Sequence, residues 1–348
     1  MDRVLRVVVV DDSAYVRKVI REILSRSPFV EVVGTARDGR EALDLVEQLD
    51  PDVVTCDLIM PELDGVGFVR EQMQRRPVPI IIMSVAKETA EATLTALDAG
   101  AIDFVQKPTA LASEKIFEVS TELIEKVKAA GNISLNRIST APPPLPTPVI
   151  GAPRISGSHS VDIVVLGIST GGPQALKRLI PQLPEDFPVP VVMVMHMPVG
   201  YTEMYAAKLN EQSQLEVREA AEGDEVTAGR VFLAAAGRHL TLKRDASGKV
   251  VTHLDAKPFD MLHRPSVDVL FESAAEVYGD RILGVVMTGM GSDGKQGAAW
   301  IKSQGGLIFT EAESSCVVYG MPGVVMEAGL SDKSVALDDM ARAIMEVV

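Results

Sequence analysis

The 348-residue sequence predicts an α/β protein with two doubly wound parallel sheets, each in its own domain. Short β-branched apolar runs alternate with helical patterns in both halves, and polar residues follow the ends of these runs. A proline-rich stretch separates the halves, and the length is enough for two cores. We therefore expect domains at residues 1–130 and 161–348, joined by a linker at 131–160.

Composition narrows the class of protein. Hydrophobic residues make up 47% of the chain, yet no apolar run reaches the roughly 18 residues that a membrane span needs. A net charge of −14 argues against nucleic acid as a partner, because phosphate binding needs basic patches. Residues 7–10 run directly into two aspartates and indicate a buried strand rather than a signal peptide, so we expect a cytoplasmic protein without membrane insertion. Cys56 and Cys316 lack metal or redox spacing and are interpreted as reduced structural cysteines.

Strand patterns in the first domain end in polar residues. The predicted strands are 6–10, 31–36, 53–56, 80–83 and 103–105. Because parallel strands share one carboxyl edge, these polar residues are expected there together: Asp11, Asp12, Asp57, Ser84 and Lys107. Each alone could be a helix cap or a turn residue. Three close carboxylates, however, repel one another unless a divalent cation lies among them, and oxygen ligands suit Mg²⁺.

With this set of residues, the first domain resembles the receiver domain of two-component response regulators. The resemblance implies a flavodoxin-like fold in which a sensor histidine kinase supplies a phosphoryl group to Asp57. The implied Mg²⁺ ligands are Asp11, Asp12 and Asp57. The implied phosphoryl-binding residues are Ser84 and Lys107, with Phe104 as the aromatic switch residue. Such chemistry mainly requires position and charge compensation, which a metal ion and a lysine provide.

The predicted linker is distinguished by its prolines, which alternate with Gly, Ser and Thr. About 30 residues of this kind span at least roughly 30 Å even as a flexible coil, which is about one domain diameter. The first domain can therefore reach the second. A ligand for a proline-binding partner is the alternative interpretation.

The second domain is organised around residues 163–172. An apolar run there ends in Gly-Ile-Ser-Thr-Gly-Gly, and Pro173 then opens a helical pattern. This strand, turn and helix start would place Ser169 near helix amides that favour negative charge. Three interpretations stay open: Ser169 is a nucleophile, a helix N-cap, or part of a degraded glycine-rich phosphate loop.

Two further polar residues follow apolar strands in this domain. His196 follows residues 191–195, and Asp293 follows residues 282–287. Each alone could be structural, but a serine nucleophile needs a base and a carboxylate that orients it. The order Ser, His, Asp excludes the α/β-hydrolases, in which the acid precedes the histidine. The other histidines considered, His239, His253 and His263, are interpreted first as structural, with His263 as a possible rim residue.

Several segments make residues 161–348 resemble the catalytic domain of the chemotaxis protein-glutamate methylesterases. They are Ser169-Thr170-Gly171-Gly172, His196-Met197-Pro198, Arg264-Pro265-Ser266-Val267-Asp268, Thr288-Gly289-Met290-Gly291-Ser292-Asp293-Gly294 and Tyr319-Gly320-Met321-Pro322. The resemblance implies a Rossmann-like fold without a cofactor, and a triad of Ser169, His196 and Asp293. It also implies the backbone amide of Met290 as oxyanion donor, assisted near Thr170.

The implied substrate is a γ-methyl glutamate on a methyl-accepting chemotaxis receptor, with glutamine deamidation as a second activity. The resemblance also implies phosphorylation control, with the unphosphorylated receiver covering the catalytic cleft. A different class of function is a non-enzymatic response regulator whose second half binds a nucleotide or a partner. The loop at residues 167–172 has no lysine after its glycines, which is unlike a nucleotide-binding loop.

Overall fold

The computed structural model of the chain describes residues 3–85, 89–107, 113–133 and 161–348. The chain divides into two compact units, Met1–Ala141 and Pro142–Val348. Most of the predicted linker, residues 134–160, lies outside the described residues. Among the helices that are described, none combines the length and the apolar character needed to cross a membrane.

The first unit has a five-stranded parallel sheet in the order β2-β1-β3-β4-β5. Its strands are β1 Leu5–Val10, β2 Val30–Ala36, β3 Val53–Asp57, β4 Ile80–Ser84 and β5 Asp103–Gln106. Its helices are α1 Ala14–Leu24, α2 Gly39–Leu49, α3 Gly65–Arg75, α4 Ala90–Asp98 and α5 Ser113–Ala130. The predicted strands are confirmed to within one residue at each end, because continuous apolar runs are typical of strands buried on both faces.

Local signals explain where the helices begin. Ser13 accepts a hydrogen bond from the Val16 N–H, and Asp64 accepts one from the Gly67 N–H at 2.7 Å. Both side chains are therefore helix caps. Gly65 is required for another reason: a Cβ there would lie 2.1 Å from the carbonyl oxygen of Asp57. The start of α3 can thus pack directly against the end of β3.

The second unit has a seven-stranded sheet in the order β14-β13-β12-β6-β7-β9-β8, with parallel pairings throughout. Its strands are β6 Ile163–Ile168, β7 Val191–Met195, β8 Glu216–Glu219, β9 Arg230–Leu233, β10 His239–Arg244, β11 Val250–Asp255, β12 Ile282–Val286, β13 Leu307–Glu311 and β14 Lys333–Val335. Its helices are α6 Gly172–Leu179, α7 Thr202–Asn210, α8 Val267–Tyr278, α9 Lys295–Ser303, α10 Met321–Glu327 and α11 Leu337–Met345. Strands β10 and β11 form a separate antiparallel ribbon that the sequence patterns did not predict.

Both sheets contain a point at which the chain reverses its direction of travel across the sheet. From β1 the chain moves to β2, whereas from β3 it moves to β4 on the other side; likewise β6 leads to β7 and β12 leads to β13. Right-handed crossovers then place the connecting helices on opposite faces and open a crevice at the carboxyl ends. The packing of the helices agrees with this placement on two faces. In the first unit α1 packs with α5 and α2 with α3, and in the second α8 packs with α9 and α6 with α11. Each unit therefore offers a crevice where the polar residues were predicted.

Close packing of α8 against β6 shapes the second crevice. A Cβ at Gly167 would lie 2.3 Å from Cγ1 of Val267, the first residue of α8. Leu270 and Phe271 continue this contact into the buried core of the unit. Only glycine at position 167 lets the N-terminus of α8 lie this close to the strand that carries Ser169.

Candidate functional site

The crevice of the first unit gathers acidic side chains. Asp11 and Asp12 follow β1, Asp57 ends β3, and one carboxylate oxygen of each lies within 4.8 Å of the others. Asp11 and Asp57 are buried, whereas Asp12 is exposed. A set of carboxylate oxygens with one solvent-facing member suits a hard divalent cation that keeps some of its water. The residues present therefore fit the Mg²⁺ site that the sequence predicted.

Lys107 connects two of these carboxylates. Its Nζ lies 2.6 Å from Oδ2 of Asp11 and 2.8 Å from Oδ1 of Asp57. Burial raises the pKa of Asp57, and the charge of Asp11 adds to this effect, although the Lys107 ammonium and the Leu58 N–H oppose it. The phosphoacceptor predicted from the sequence is thus a carboxylate whose negative charge is only partly compensated.

Ser84 and Phe104 are also buried in this unit. The hydroxyl of Ser84 lies 2.6 Å from the Thr89 hydroxyl and 2.8 Å from that of Thr93, so it belongs to a hydroxyl cluster. The carbonyl of Phe104 accepts a 2.7 Å hydrogen bond from Nζ of Lys126. Phosphoryl binding by Ser84 and switching by Phe104 stay predictions.

Ser169, His196 and Asp293 all lie at the crevice of the second unit, where a hydrogen bond joins His196 to Asp293 but none joins Ser169 to His196. They follow the adjacent strands β6, β7 and β12, with the strand of Ser169 in the middle. The His196 N–H donates to the carbonyl of Ile168, which aligns the end of β7 with the end of β6. The order of the strands therefore brings the base to one side of the serine, and the loop after β12 carries the acid from the other side to the base.

His196 and Asp293 form a direct pair. The distance between Nε2 of His196 and Oδ2 of Asp293 is 2.8 Å, and each side chain is only 9% exposed. Since an ionised carboxylate only accepts, we assign the imidazole proton to Nε2. The other ring nitrogen, Nδ1, is buried and has no hydrogen-bond partner among the described residues. This leaves a lone pair on Nδ1 that can take a proton.

His263 covers the imidazole of His196. The two rings are stacked with centroids 4.0 Å apart and planes inclined by 22°. The sequence interpretation of His263 as a possible rim residue stays a prediction, but the contact shows that it lies directly against His196. Its position in the segment before α8 gave no signal for this stacking.

Asp293 is held by an unusual number of donors. Oδ2 accepts from the Val267 N–H at 2.8 Å in addition to His196. Oδ1 accepts from the Ser266 hydroxyl at 2.9 Å and from the N–H groups of Asp268 and Gly294 at 2.9 and 3.1 Å. Burial disfavours the charged form, but His196 and these backbone donors outweigh it and hold the pKa of Asp293 well below its usual range. Asp293 therefore stays ionised at neutral pH and orients the imidazole.

The segment around Met290 approaches the serine closely. A Cβ at Gly289 would lie 2.8 Å from Cβ of Ser169, and the Ser169 N–H donates to the Thr288 carbonyl at 3.0 Å. The Met290 N–H makes no hydrogen bond to any residue that the structure describes. An unpaired N–H next to a serine is what an oxyanion site needs. The specific role of Met290, like that of Thr170, stays a prediction.

Glu311 holds the segment around Met290 through hydrogen bonds, and this role was not predicted from the sequence. It is fully buried at the end of β13, where its carboxylate accepts from the Thr288 N–H at 2.9 Å and from the Ser315 hydroxyl at 3.0 Å. Burial raises the pKa of Glu311. The Thr288 hydroxyl in turn donates to the Thr170 carbonyl at 3.0 Å. A glutamate at a strand end is too common a pattern to have indicated this role.

Comparisons with known proteins agree with both units. Residues 164–344 match the CheB methylesterase family, and residues 7–118 match the response regulator receiver domain. A Myxococcus xanthus protein named protein-glutamate methylesterase/protein-glutamine glutaminase 5 is 48% identical over 97% of this chain and 96% of its own length. A Symbiobacterium thermophilum protein of the same general name is 44% identical over 100% of this chain and 98% of its own. The crystal structure of the Thermotoga maritima CheB methylesterase catalytic domain superimposes with a TM-score of 0.53 at 42% identity, covering 54% of this chain and 100% of that one.

Proposed function

The chain belongs to the CheB methylesterase family and carries a receiver domain, and on this premise we propose that it is a phosphorylation-regulated protein-glutamate methylesterase. Its substrate is a γ-methyl glutamate on a chemoreceptor, and it also converts specific receptor glutamines to glutamate. The activity serves adaptation in chemotaxis or a related chemosensory pathway. We place the protein in the cytoplasm, where such a receptor presents its methylated segment.

One observation supports this proposal above the others. The 2.8 Å pair of His196 and Asp293 leaves Nδ1 without a partner among the described residues, next to the strand that carries Ser169. A structural histidine would satisfy both ring nitrogens when buried. A base held ready for a proton accounts for the missing partner.

The first half of the proposed reaction forms an acyl-enzyme. Nδ1 of His196 takes the proton of the Ser169 hydroxyl while Oγ attacks the ester carbonyl carbon, and the carbonyl oxygen becomes an oxyanion. The Met290 N–H stabilises this oxyanion, and the helix start after Thr170 assists. Ionised Asp293 stabilises the imidazolium, which then protonates the departing methoxide as methanol.

The second half regenerates the enzyme. His196 takes a proton from a water molecule, whose oxygen attacks the acyl carbon and displaces Ser169. The imidazolium of His196 returns its proton to Oγ of Ser169 as this oxygen leaves, so the products are a glutamate carboxylate and the free serine. The same attack on a glutamine side chain would release ammonia in place of methanol, so one site accounts for both activities.

We further propose that Asp57 accepts the phosphoryl group from a sensor histidine kinase. When bound by Asp11, Asp12 and Asp57, Mg²⁺ would offset the negative charge that develops during this transfer. Lys107 already contacts Asp57 at 2.8 Å and would then bind a phosphoryl oxygen. Ser84 would bind another phosphoryl oxygen, and Phe104 would be the aromatic switch residue that responds to phosphorylation.

The proposal is tested by methanol release from a methylated receptor fragment. Wild type is compared with Ser169→Ala, each with and without Mg²⁺ and a small phosphodonor. We expect Ser169→Ala to lower the rate roughly 10⁴- to 10⁶-fold, because triad residues act as a unit. Ser213→Ala is the matched control, since the hydroxyl of Ser213 donates to the Leu209 carbonyl at the end of α7.

Two outcomes would contradict the proposal. Equal rates of methanol release by wild type and Ser169→Ala would show that Ser169 takes no part in the reaction. No release by a wild type that is folded and phosphorylated, together with tight nucleotide binding, would favour an output domain that only binds.

A further inference from the structure

His239 is a fully buried histidine that the proposed reaction does not use. Its Nδ1 lies 3.3 Å from the backbone nitrogen of Ser266 and its Nε2 lies 3.0 Å from the carbonyl oxygen of Pro258. The N–H of Ser266 can only donate and the carbonyl can only accept, so the ring is neutral with its proton on Nε2. Burial lowers the pKa of His239, which agrees with this neutral form. His239 thus links both ends of the segment that carries His263.

Ser266 occupies the N-cap position of α8 without capping the helix. A serine at this position normally accepts a hydrogen bond from an N–H of the first turn. Here the hydroxyl instead donates to Oδ1 of Asp293 at 2.9 Å, and Asp293 accepts the N–H groups of Val267 and Asp268. Asp293 has therefore replaced the serine as the cap, and the serine hydroxyl is directed at Asp293.

We propose that Ser266 and His239 are positioning residues for the acid of the triad. His239 holds the backbone of Ser266, Ser266 holds Oδ1 of Asp293, and Oδ2 of Asp293 holds the imidazole of His196. Neither residue touches the reacting atoms, so they act only through Asp293. The inference rests on the proposed function, because it assigns Asp293 the role of orienting His196.

The consequence of losing the Ser266 hydroxyl follows from the charge on Asp293. Without that donor, more negative charge stays available to the imidazolium of His196, while Oδ1 is held less firmly. The other titratable groups facing this pair are His263, stacked on the imidazole, and Asp268 beside Asp293. Ser266→Ala alters none of these groups. Its direct effect is therefore the loss of one donor to Oδ1 of Asp293.

The test uses the full chain with three variants, two at Ser266 and one at Ser273 on α8. We expect Ser266→Ala to lower kcat for methanol release about tenfold with KM unchanged, because it removes one hydrogen bond to a buried charge. Ser266→Thr keeps the hydroxyl and should restore kcat. Ser273→Ala is the control, since the Ser273 hydroxyl on α8 donates to the Leu270 carbonyl and accepts from the Leu242 N–H, and these contacts do not involve Asp293.

A second readout does not depend on activity. The proton on Nε2 of His196, observed by NMR, should resonate further downfield in Ser266→Ala than in wild type and in Ser273→Ala, because Asp293 then accepts its hydrogen bond more strongly. In His239→Asn, whose amide oxygen can replace Nδ1, this resonance should lie closer to its wild-type position than in His239→Ala.

The outcomes separate this inference from the proposed function. A Ser266→Ala protein with the kcat and the His196 Nε2–H resonance of wild type overturns the inference and leaves the methylesterase intact. A lowered kcat that Ser266→Thr does not restore also overturns it. If wild type releases no methanol, the proposed function fails, and an unshifted Nε2–H resonance in Ser266→Ala would then reject the positioning link on its own evidence.

Discussion

The two crevices hold two buried aspartates with opposite electrostatics. Asp57 and Asp293 both lie next to the reversal point of a parallel sheet, yet burial raises the pKa of Asp57, whereas hydrogen-bond donors hold that of Asp293 low. Asp57 is contacted by the Leu58 N–H and by one ammonium that it shares with Asp11. Asp293 receives donors on both oxygens from the start of α8, from its own loop and from His196.

The difference lies in what each carboxylate is left free to do. Asp293 is saturated with donors, so it stays ionised and fixed and suits the orientation of a base. Asp57 keeps uncompensated charge and free lone pairs, which suits a group that must bind a cation and attack phosphorus. One sheet architecture thus supports two chemistries, and the number of N–H and O–H donors around the acid separates them.

The largest expected effect comes from Asp293→Asn. An amide cannot stabilise the imidazolium as a carboxylate does, so we expect kcat for methanol release to fall about 10⁴-fold. Asp332→Asn provides a matched control, because Asp332 pairs with Lys302 in the same unit. A fall in kcat of less than tenfold would contradict the contrast drawn between Asp57 and Asp293, because it would show that Asp293 is mainly a helix cap.

A smaller effect is expected for Asp57→Asn. The substitution removes the phosphoacceptor, so rates with and without a phosphodonor should become equal. It also removes a charge crowded by Asp11, and we expect Tm without Mg²⁺ to rise by a few degrees. Calorimetry of the variant and wild type measures this. A lower Tm would mean that Lys107 already compensates the charge fully.

The smallest effect concerns Asp268, which adjoins Asp293 but is poorly supplied with donors. Burial and the charge of Asp293 raise the pKa of Asp268 to about 6, although the Gly297 N–H opposes this. A raised carboxyl pKa favours the protonated form in the fold, so its stabilisation is lost as pH rises from about 4 towards 6.

Asp268→Asn keeps an acceptor for the Gly297 N–H and removes the titration. We expect the free energy of unfolding of Asp268→Asn minus that of wild type to increase between pH 4 and 6 and then to stay constant. Urea unfolding of both proteins at a series of pH values measures this difference. A constant difference across that range would show that Asp268 does not carry the titration.

The strands and their polar ends could be predicted because each strand is a short apolar run that stops at a charged or polar residue. Asp11, Asp57 and His196 were found in this way, and the family resemblance supplied their joint meaning. The structure places two of the predicted residues, His196 and Asp293, 2.8 Å apart, while their catalytic roles stay predictions. Asp293 itself lies seven residues beyond the end of β12, so its approach to His196 depends on a loop that no periodicity describes.

The supporting residues could not be predicted because their roles arise from long-range packing. Glu311, Ser266 and His239 each contact residues far away in sequence, and each type of residue is common at a strand or helix end. The antiparallel ribbon of β10 and β11 escaped prediction for a related reason. Leu240 and Leu242 alternate with polar residues as in a half-buried strand, but the core that they contact is formed by residues distant in sequence.

The anchoring of Thr288 has a consequence for amide exchange with solvent. The N–H groups of Ser169, Thr288 and Gly289 are all engaged, by the Thr288 carbonyl, the Glu311 carboxylate and the Val318 carbonyl. These N–H groups can exchange with deuterium only when the loop opens and their hydrogen bonds break. The neighbouring Met290 N–H has no hydrogen-bond acceptor among the described residues and can exchange before the other three. If Met290 is the oxyanion donor, as proposed, deuterium exchange at this single N–H should slow when an acyl oxygen occupies the site.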